Sequence, residues 1–192
     1  MVLGRDLQVA ANRDEFTGRP SAPPAEVEPG IVAGRDLVAG GTWLGFNRHG
    51  LFVAVTNRRT PVRAPESRSR GLLALEGLRC RTLADVEALI EKRLSERPSA
   101  GFNLVAVAGN EGLCLHYDGA LRPSRFGAGA HVVSSDRDLD DPAMDEKRLF
   151  DALLAKGPPD DAALKGFLAS HEGDRPVCKH REGFGTVSST IY

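Results

Sequence analysis

Cysteine is the first scarcity. The chain has three, Cys80, Cys114 and Cys178; an odd number at wide, irregular spacing builds neither a disulfide framework nor a CxxC metal pair, which fits a reducing compartment. Long apolar runs are missing too. None approaches the roughly 20 residues a membrane span requires, and the N-terminus has no cationic start followed by an apolar core of signal-peptide length. A cytoplasmic protein with no membrane span is the expectation. Charge of one sign is not in surplus: 25 basic residues stand against 26 acidic ones, a formal net charge of -1, so there is no electrostatic reason to expect nucleic acid or an anionic membrane as partner. G-x-S-x-G, the P-loop and the dinucleotide fingerprint are all absent, which leaves a serine hydrolase or a nucleotide-binding enzyme without a motif. The five histidines, at 49, 116, 131, 171 and 180, make no His-x-x-x-His pair and have no clustered acids, so no metal motif stands out. No internal repeat or low-complexity segment is present.

What is there suffices for one well-buried core. With 192 residues, 41% of them hydrophobic, residues 1–192 read as a single domain. The densest polar stretch is Asn12, Arg13, Asp14 and Glu15. Leu7, Val9 and Ala11 alternate upstream as in a half-buried strand, and Gly18 and Pro20 end regular structure downstream. An amide, a cation and two acids at a strand end could converge on one spot; they also suit a solvated turn whose Arg and acids pair with each other.

Residues 19–30 contain Pro20, Pro23, Pro24 and Pro29 and read as an extended loop, and residues 31–38 as a weak strand. Residues 40–57 form a hairpin, two β-rich runs around a polar turn that ends in Gly50. Gly40 and Gly41 let backbone approach something closely, and Trp43, the only tryptophan, follows as a core residue or a ligand contact. Residues 58–70 carry Arg58, Arg59, Arg63, Arg68 and Arg70 against Glu66. Such a loop can clamp a carboxylate or phosphate through planar guanidinium forks, or simply be solvated.

Residues 71–78 and 82–97 read as helices. In the second, Thr82 and Asp85 resemble a capping box, and Leu83, Val86, Leu89, Ile90 and Leu94 share a face. Residues 102–108, 113–117 and 121–126 then form an antiparallel meander. Val132 and Val133 start another strand, residues 145–156 and 161–171 are helices, and residues 186–192 close the chain as a strand. Antiparallel strands with helices segregated in sequence give an α+β fold, antiparallel sheets layered with helices. Cys178 and His180, two apart on an extended segment, face the same side and are the one weak metal-ligand pair; an ordinary thiol in a turn fits equally.

Residues 11–16 (Ala-Asn-Arg-Asp-Glu-Phe) with Arg19-Pro20, residues 40–45 (Gly-Gly-Thr-Trp-Leu-Gly), Thr56-Asn57, residues 69–73, residues 101–104, Gly185-Thr186 and residues 188–190 together resemble the NRDE family, that of the transport and Golgi organisation 2 protein. The resemblance implies a four-layer αββα sandwich of the N-terminal-nucleophile hydrolase type and a role in haem trafficking. In that fold class the first residue is the nucleophile and its α-amino group, with a reference pKa of about 7.7–8.0, is the base. Family members carry a cysteine after the initiator methionine, whereas Val2 stands here and no Ser, Thr or Cys precedes Asn12; an upstream start would restore it. The hairpin also resembles the amidase segment that ends in an oxyanion-stabilising asparagine, which would be Asn57. Ser135 stands where an asparagine is common, and Val187 where arginine is. Asn12, Arg13, Asp14, Glu15 and Asn57 are therefore vestigial catalytic candidates.

The resulting expectation is an NRDE-type protein that binds a small anionic ligand, haem as cargo, without converting it. Arg13, Glu15, Gly40, Gly41, Trp43, Asn57, Arg58 and Arg59 would line the site, and Arg63 would join the anion clamp. The competing class is a cysteine-dependent amidohydrolase acting on C–N bonds. Residues 12–15 and Asn57 are expected at neighbouring strand ends of one sheet around a common cleft. A fold clipped at both termini would leave edge strands unpaired and prone to self-association.

Overall fold

The computed structural model describes residues 1–4, 6–59 and 68–192; Arg63 lies outside them. In chain order the elements are β1 (Val2–Leu3), β2 (Leu7–Gln8), β3 (Ala10–Phe16), β4 (Ser21–Glu28), β5 (Ile31–Asp36), β6 (Leu44–Asn47), β7 (Leu51–Asn57), α1 (Arg70–Gly77) and α2 (Leu83–Glu96). They continue with β8 (Phe102–Ala108), β9 (Glu111–Tyr117), β10 (Leu121–Phe126), β11 (Gly129–Ala130), α3 (Asp145–Leu154), α4 (Asp161–Leu168), β12 (His180–Arg181) and β13 (Phe184–Ile191). The chain divides into two compact units, one of Met1–Arg19 with Gly129–Tyr192, the other of Pro20–Ala128. Among the described residues no helix is long and apolar enough to cross a membrane.

The unit of residues 20–128 is a seven-stranded sheet in the order β10-β9-β8-β7-β6-β5-β4, antiparallel throughout. Because side chains alternate along a strand, Leu51, Val53, Phe102, Leu104, Leu113 and Leu115 share one face and pack with Leu73, Leu78, Val86 and Ile90 of the α1–α2 segment. The other face is apolar as well: Phe52, Val105, Val107 and Cys114 are buried. Burial on both faces is why β8 reads as an almost unbroken apolar run rather than an alternating one. The capping box of α2 forms as the spacing implies, Asp85 N donating to Thr82 Oγ1 and Thr82 N to Asp85 Oδ2, each at 3.1 Å.

Residues 21–28 depart from the expected loop by forming β4. It is the terminal strand of its sheet, where a proline nitrogen facing away from β5 costs no ladder bond, and its register with β5 shifts between Ala22 and Ala25, so the ladder is interrupted across Pro23 and Pro24.

The unit of residues 1–19 and 129–192 holds a three-stranded sheet β12-β13-β3 and a smaller one β11-β1-β2. Its core is Val132, Met144, Phe150 and Leu164, with Ala10, Phe167 and Ile191 against it. The closing strand β13 is the middle strand of its sheet; the strand expected upstream of the motif divides into β2 and the start of β3, and β1 precedes both. Val132 and Val133 do not start a strand. Val132 N–H donates to Asp140 Oδ1 at 2.7 Å and its carbonyl accepts from Asp140 N at 3.0 Å, so a loop turning at Asp140 (φ 56°) takes the backbone groups a ladder would need. Helices α3 and α4 end earlier than expected, at Leu154 and Leu168.

Candidate functional site

Asn12, Arg13, Asp14 and Glu15 lie inside β3 rather than after a strand, and the two-residue period of a strand divides them between its faces. The motif therefore does not converge on one spot. On one face Asn12 Nδ2 donates to two carbonyls, Leu168 O at 2.8 Å and Val177 O at 3.0 Å, while Asn12 Oδ1 accepts from Ser189 Oγ at 2.7 Å. On the same face Asp14 accepts from Lys179 Nζ at 2.6 Å and from Thr186 Oγ1 at 2.7 Å. On the other face Arg13, 7% exposed, lies 4.0 Å from Glu15, which lies 3.5 Å from Arg19. A buried guanidinium needs such a counter-charge.

A bulge makes the first arrangement possible. Thr186 pairs with Asp14 and Ser189 with Asn12, with a register shift between Thr186 and Ser188. Residues three apart on a regular strand point to opposite faces. The extra residue, Val187, restores the parity and puts both hydroxyls on the Asn12–Asp14 side.

In the unit of residues 20–128, register builds a polar row across four strands: Thr56 beside Asn103, Asn103 beside His116, His116 beside Arg122. Asn103 is fully buried and His116 nearly so. Asn103 Nδ2 donates to Thr56 Oγ1 at 3.2 Å, which turns its oxygen toward His116 Nδ1 at 2.8 Å and Arg58 Nη1 at 3.1 Å. An amide oxygen only accepts, so neutral His116 carries its proton on Nδ1. Arg58 also lies 3.5 Å from Asp118, which Arg122 grips with two bonds of 2.7 and 3.0 Å. The Arg122 guanidinium, and more weakly Arg58, holds the Asp118 carboxyl below its usual range against some desolvation. Asn103 and His116 were invisible as a pair, because only the β8–β9 register joins them.

The remaining expected residues are placed as follows. Asn57 ends β7 and is exposed, opposite Phe102 of β8. It is in the seven-stranded sheet and the motif in the three-stranded one, so the two do not follow strands of one sheet. Arg59 is exposed. Gly41 meets α1 rather than open space: a Cβ there would lie 2.3 Å from the Gly71 carbonyl carbon, and Thr42 N donates to Gly71 O at 3.0 Å. A pocket bordered by Gly40, Gly41, Arg35 and Leu75 has a volume of about 20 Å³, room for a water or two rather than an organic ligand. Trp43 is half-buried with its ring over Gly34. Cys178 Sγ is 3.5 Å from His180 Nε2, and His171, which no local pattern connected to them, joins the pair.

These features define an antiparallel α+β protein whose fold resembles that of N-terminal-nucleophile hydrolases. The Caenorhabditis elegans N-acylethanolamine-hydrolyzing acid amidase ortholog matches it at a TM-score of 0.62 with 10% identity, covering 96% of this chain and 86% of that one. Penicillin V acylase from Agrobacterium tumefaciens gives 0.46 with 15% identity, over 82% and 56%. The chain belongs to the Transport and Golgi organisation 2 family, which it matches over residues 5–174. The Mus musculus Transport and Golgi organization 2 homolog is 38% identical over 108 residues, 52% of this chain. The Homo sapiens homolog has the same identity over the same length. The match spans 38% of the length of these two relatives.

Proposed function

We propose that this chain is a non-catalytic binding protein for a small anionic ligand, with haem as the cargo, and that the ligand's carboxylates are taken at the end of β7 by Arg58 and Arg59. The observation that supports the reading is the setting of Arg58. Its side chain is 12% exposed, is oriented by the buried Asn103, and shares Asp118 with Arg122. Asn103 and Asp118 hold the Arg58 guanidinium in place before any ligand arrives, so little of its side-chain freedom is left to lose on binding.

The test is a haem titration followed by Soret absorbance. Arg58→Ala with Arg59→Ala should weaken binding roughly tenfold or more, which corresponds to at least about 1.4 kcal/mol. Arg59→Ala alone, at an exposed position, should leave thermal stability unchanged and so separates affinity from folding. Equal affinity in parent and double variant, or no saturable Soret change in the parent, would remove the proposal.

The fold likeness to an acid amidase favours one second reading, amide hydrolysis with Asn57 in the oxyanion-stabilising role. Residue 2 is Val2, so this reading needs a nucleophile that the sequence does not place before Asn12. Release of fatty acid from an N-acylethanolamine by this chain would establish it, and no release by a Val2→Cys variant beginning at that cysteine would end it.

A further inference from the structure

His171, Cys178 and His180 are three residues of one surface that the carboxylate-binding reading does not use. One ligand atom from each, a ring nitrogen or the thiol sulfur, lies within 4.8 Å of the other two. They meet because the segment after α4 is fastened from several directions. Asn12 draws the carbonyls of Leu168 and Val177 together, Cys178 N donates to Ser170 O at 2.9 Å, and Arg175 N donates to Asp145 Oδ2 at 3.1 Å. Beyond the cysteine, Lys179 and Thr186 exchange bonds of 2.8 and 3.0 Å, which start the β12–β13 hairpin and fix His180 two residues from Cys178.

We propose that these three side chains form a binding site for a borderline-soft divalent cation, Zn²⁺, with the fourth position left to water or an exogenous ligand. Thiolate with imidazole selects zinc-like ions over Mg²⁺ and Ca²⁺, which prefer oxygen. Zn–S and Zn–N bonds of about 2.3 and 2.05 Å at the tetrahedral angle put sulfur and nitrogen about 3.6 Å apart. The Cys178 Sγ to His180 Nε2 distance is 3.5 Å. His171 is oriented to ligate as well. Its Nδ1 lies 3.2 Å from Cys178 O and a carbonyl only accepts, so in the neutral ring Nδ1 holds the proton and Nε2 is the nitrogen left for a metal. A ligating histidine typically donates its second nitrogen to a carbonyl in this way. The histidine rings, 5.0 Å apart between centroids, are both exposed, so the His180 ring has room to turn toward a shared ion while His171 keeps its bond to Cys178 O. On binding, Cys178 coordinates as thiolate after its proton passes to solvent.

The experiment uses the whole chain with Zn²⁺ in calorimetry and Co²⁺ in absorption spectroscopy. One ion should bind per chain, and Co²⁺ should give a thiolate-to-metal charge-transfer band that Cys178→Ser abolishes while Cys80 and Cys114 remain. His171→Ala and His180→Ala should each weaken Zn²⁺ at least about tenfold, the lower end of what loss of even an outer-shell partner costs a metal site. All three positions are at the surface or half-buried, and an unchanged far-ultraviolet circular dichroism spectrum establishes that each variant is folded. No saturable metal uptake by the parent, a charge-transfer band that survives Cys178→Ser, or unaltered affinity after loss of either histidine would overturn the proposal.

Discussion

Asn12 is the residue of the 12–15 motif whose removal has the most definite expected cost. Replacing it with alanine deletes two donated bonds, 2.8 and 3.0 Å long, and one accepted from Ser189. The carbonyls of Leu168 and Val177 then lose a donor in a partly buried place. A polar group left unsatisfied when buried costs about 1–3 kcal/mol. Water reaches a half-buried site in part, so the sum for Asn12→Ala comes to roughly 2–4 kcal/mol. Asn12→Asp is the sharper variant, because it keeps shape and packing yet turns a donor into an acceptor facing two carbonyls. At neutral pH it should destabilise at least as much as alanine does. Ser189→Ala, which loses a single bond, should cost only about 0.5–1.5 kcal/mol. Urea denaturation of the four proteins measures this directly, as a lower midpoint at constant slope. If Asn12→Ala lies within about 0.5 kcal/mol of the parent, or Asn12→Asp is as stable as the parent at neutral pH, the clamp is not what holds the α4 end against the 177–178 segment.

Gly41→Ala should destabilise by about 1–3 kcal/mol, since its Cβ would press on the Gly71 and Leu72 backbone at 2.3–2.6 Å and backbone cannot rotate aside; thermal melting checks this, and a melting temperature equal to the parent's would refute it. Stability should also depend on pH at the acidic end. Glu28, through its bond to Arg79, and Asp118, through its bond to Arg122, lie below their ordinary values of 4.5 and 3.8, so their contribution is present above those values and is lost as pH falls through the lower folded ones. Both pairs are partly exposed, and each is worth no more than about 1 kcal/mol. Denaturation free energy measured across pH should show this slope, with Asp118→Asn reducing it; a flat acidic profile would refute the assignment.

What could be read from the sequence was local or periodic. The β6–β7 hairpin, the capping box of α2, the meander β8–β9–β10 and the α+β class all follow from patterns within a few residues of each other, where alternation, turn glycines and capping residues act directly on the backbone. The ordered motifs likewise sufficed for the family. The rest depended on partners distant in sequence. Pro23 and Pro24 look like loop formers until position at a sheet's end makes the missing N–H harmless, and Val132 looks like strand until Asp140 takes its backbone bonds. Residues 12–15 look like a convergent site until the strand sends alternate side chains to opposite faces and the Val187 bulge selects which hydroxyls meet them. Asn103 and His116 carry no local mark; register alone brings them to 2.8 Å. The same is true of His171, which reaches the Cys178–His180 pair through bonds such as those from Asn12, near the other end of the chain, to the carbonyls of Leu168 and Val177 and from Cys178 N to Ser170 O. Short-range geometry is written in neighbouring residues, whereas which side chains share a face or an ion is set by strand register and by hydrogen bonds that close long loops, and those exist only once the chain has folded.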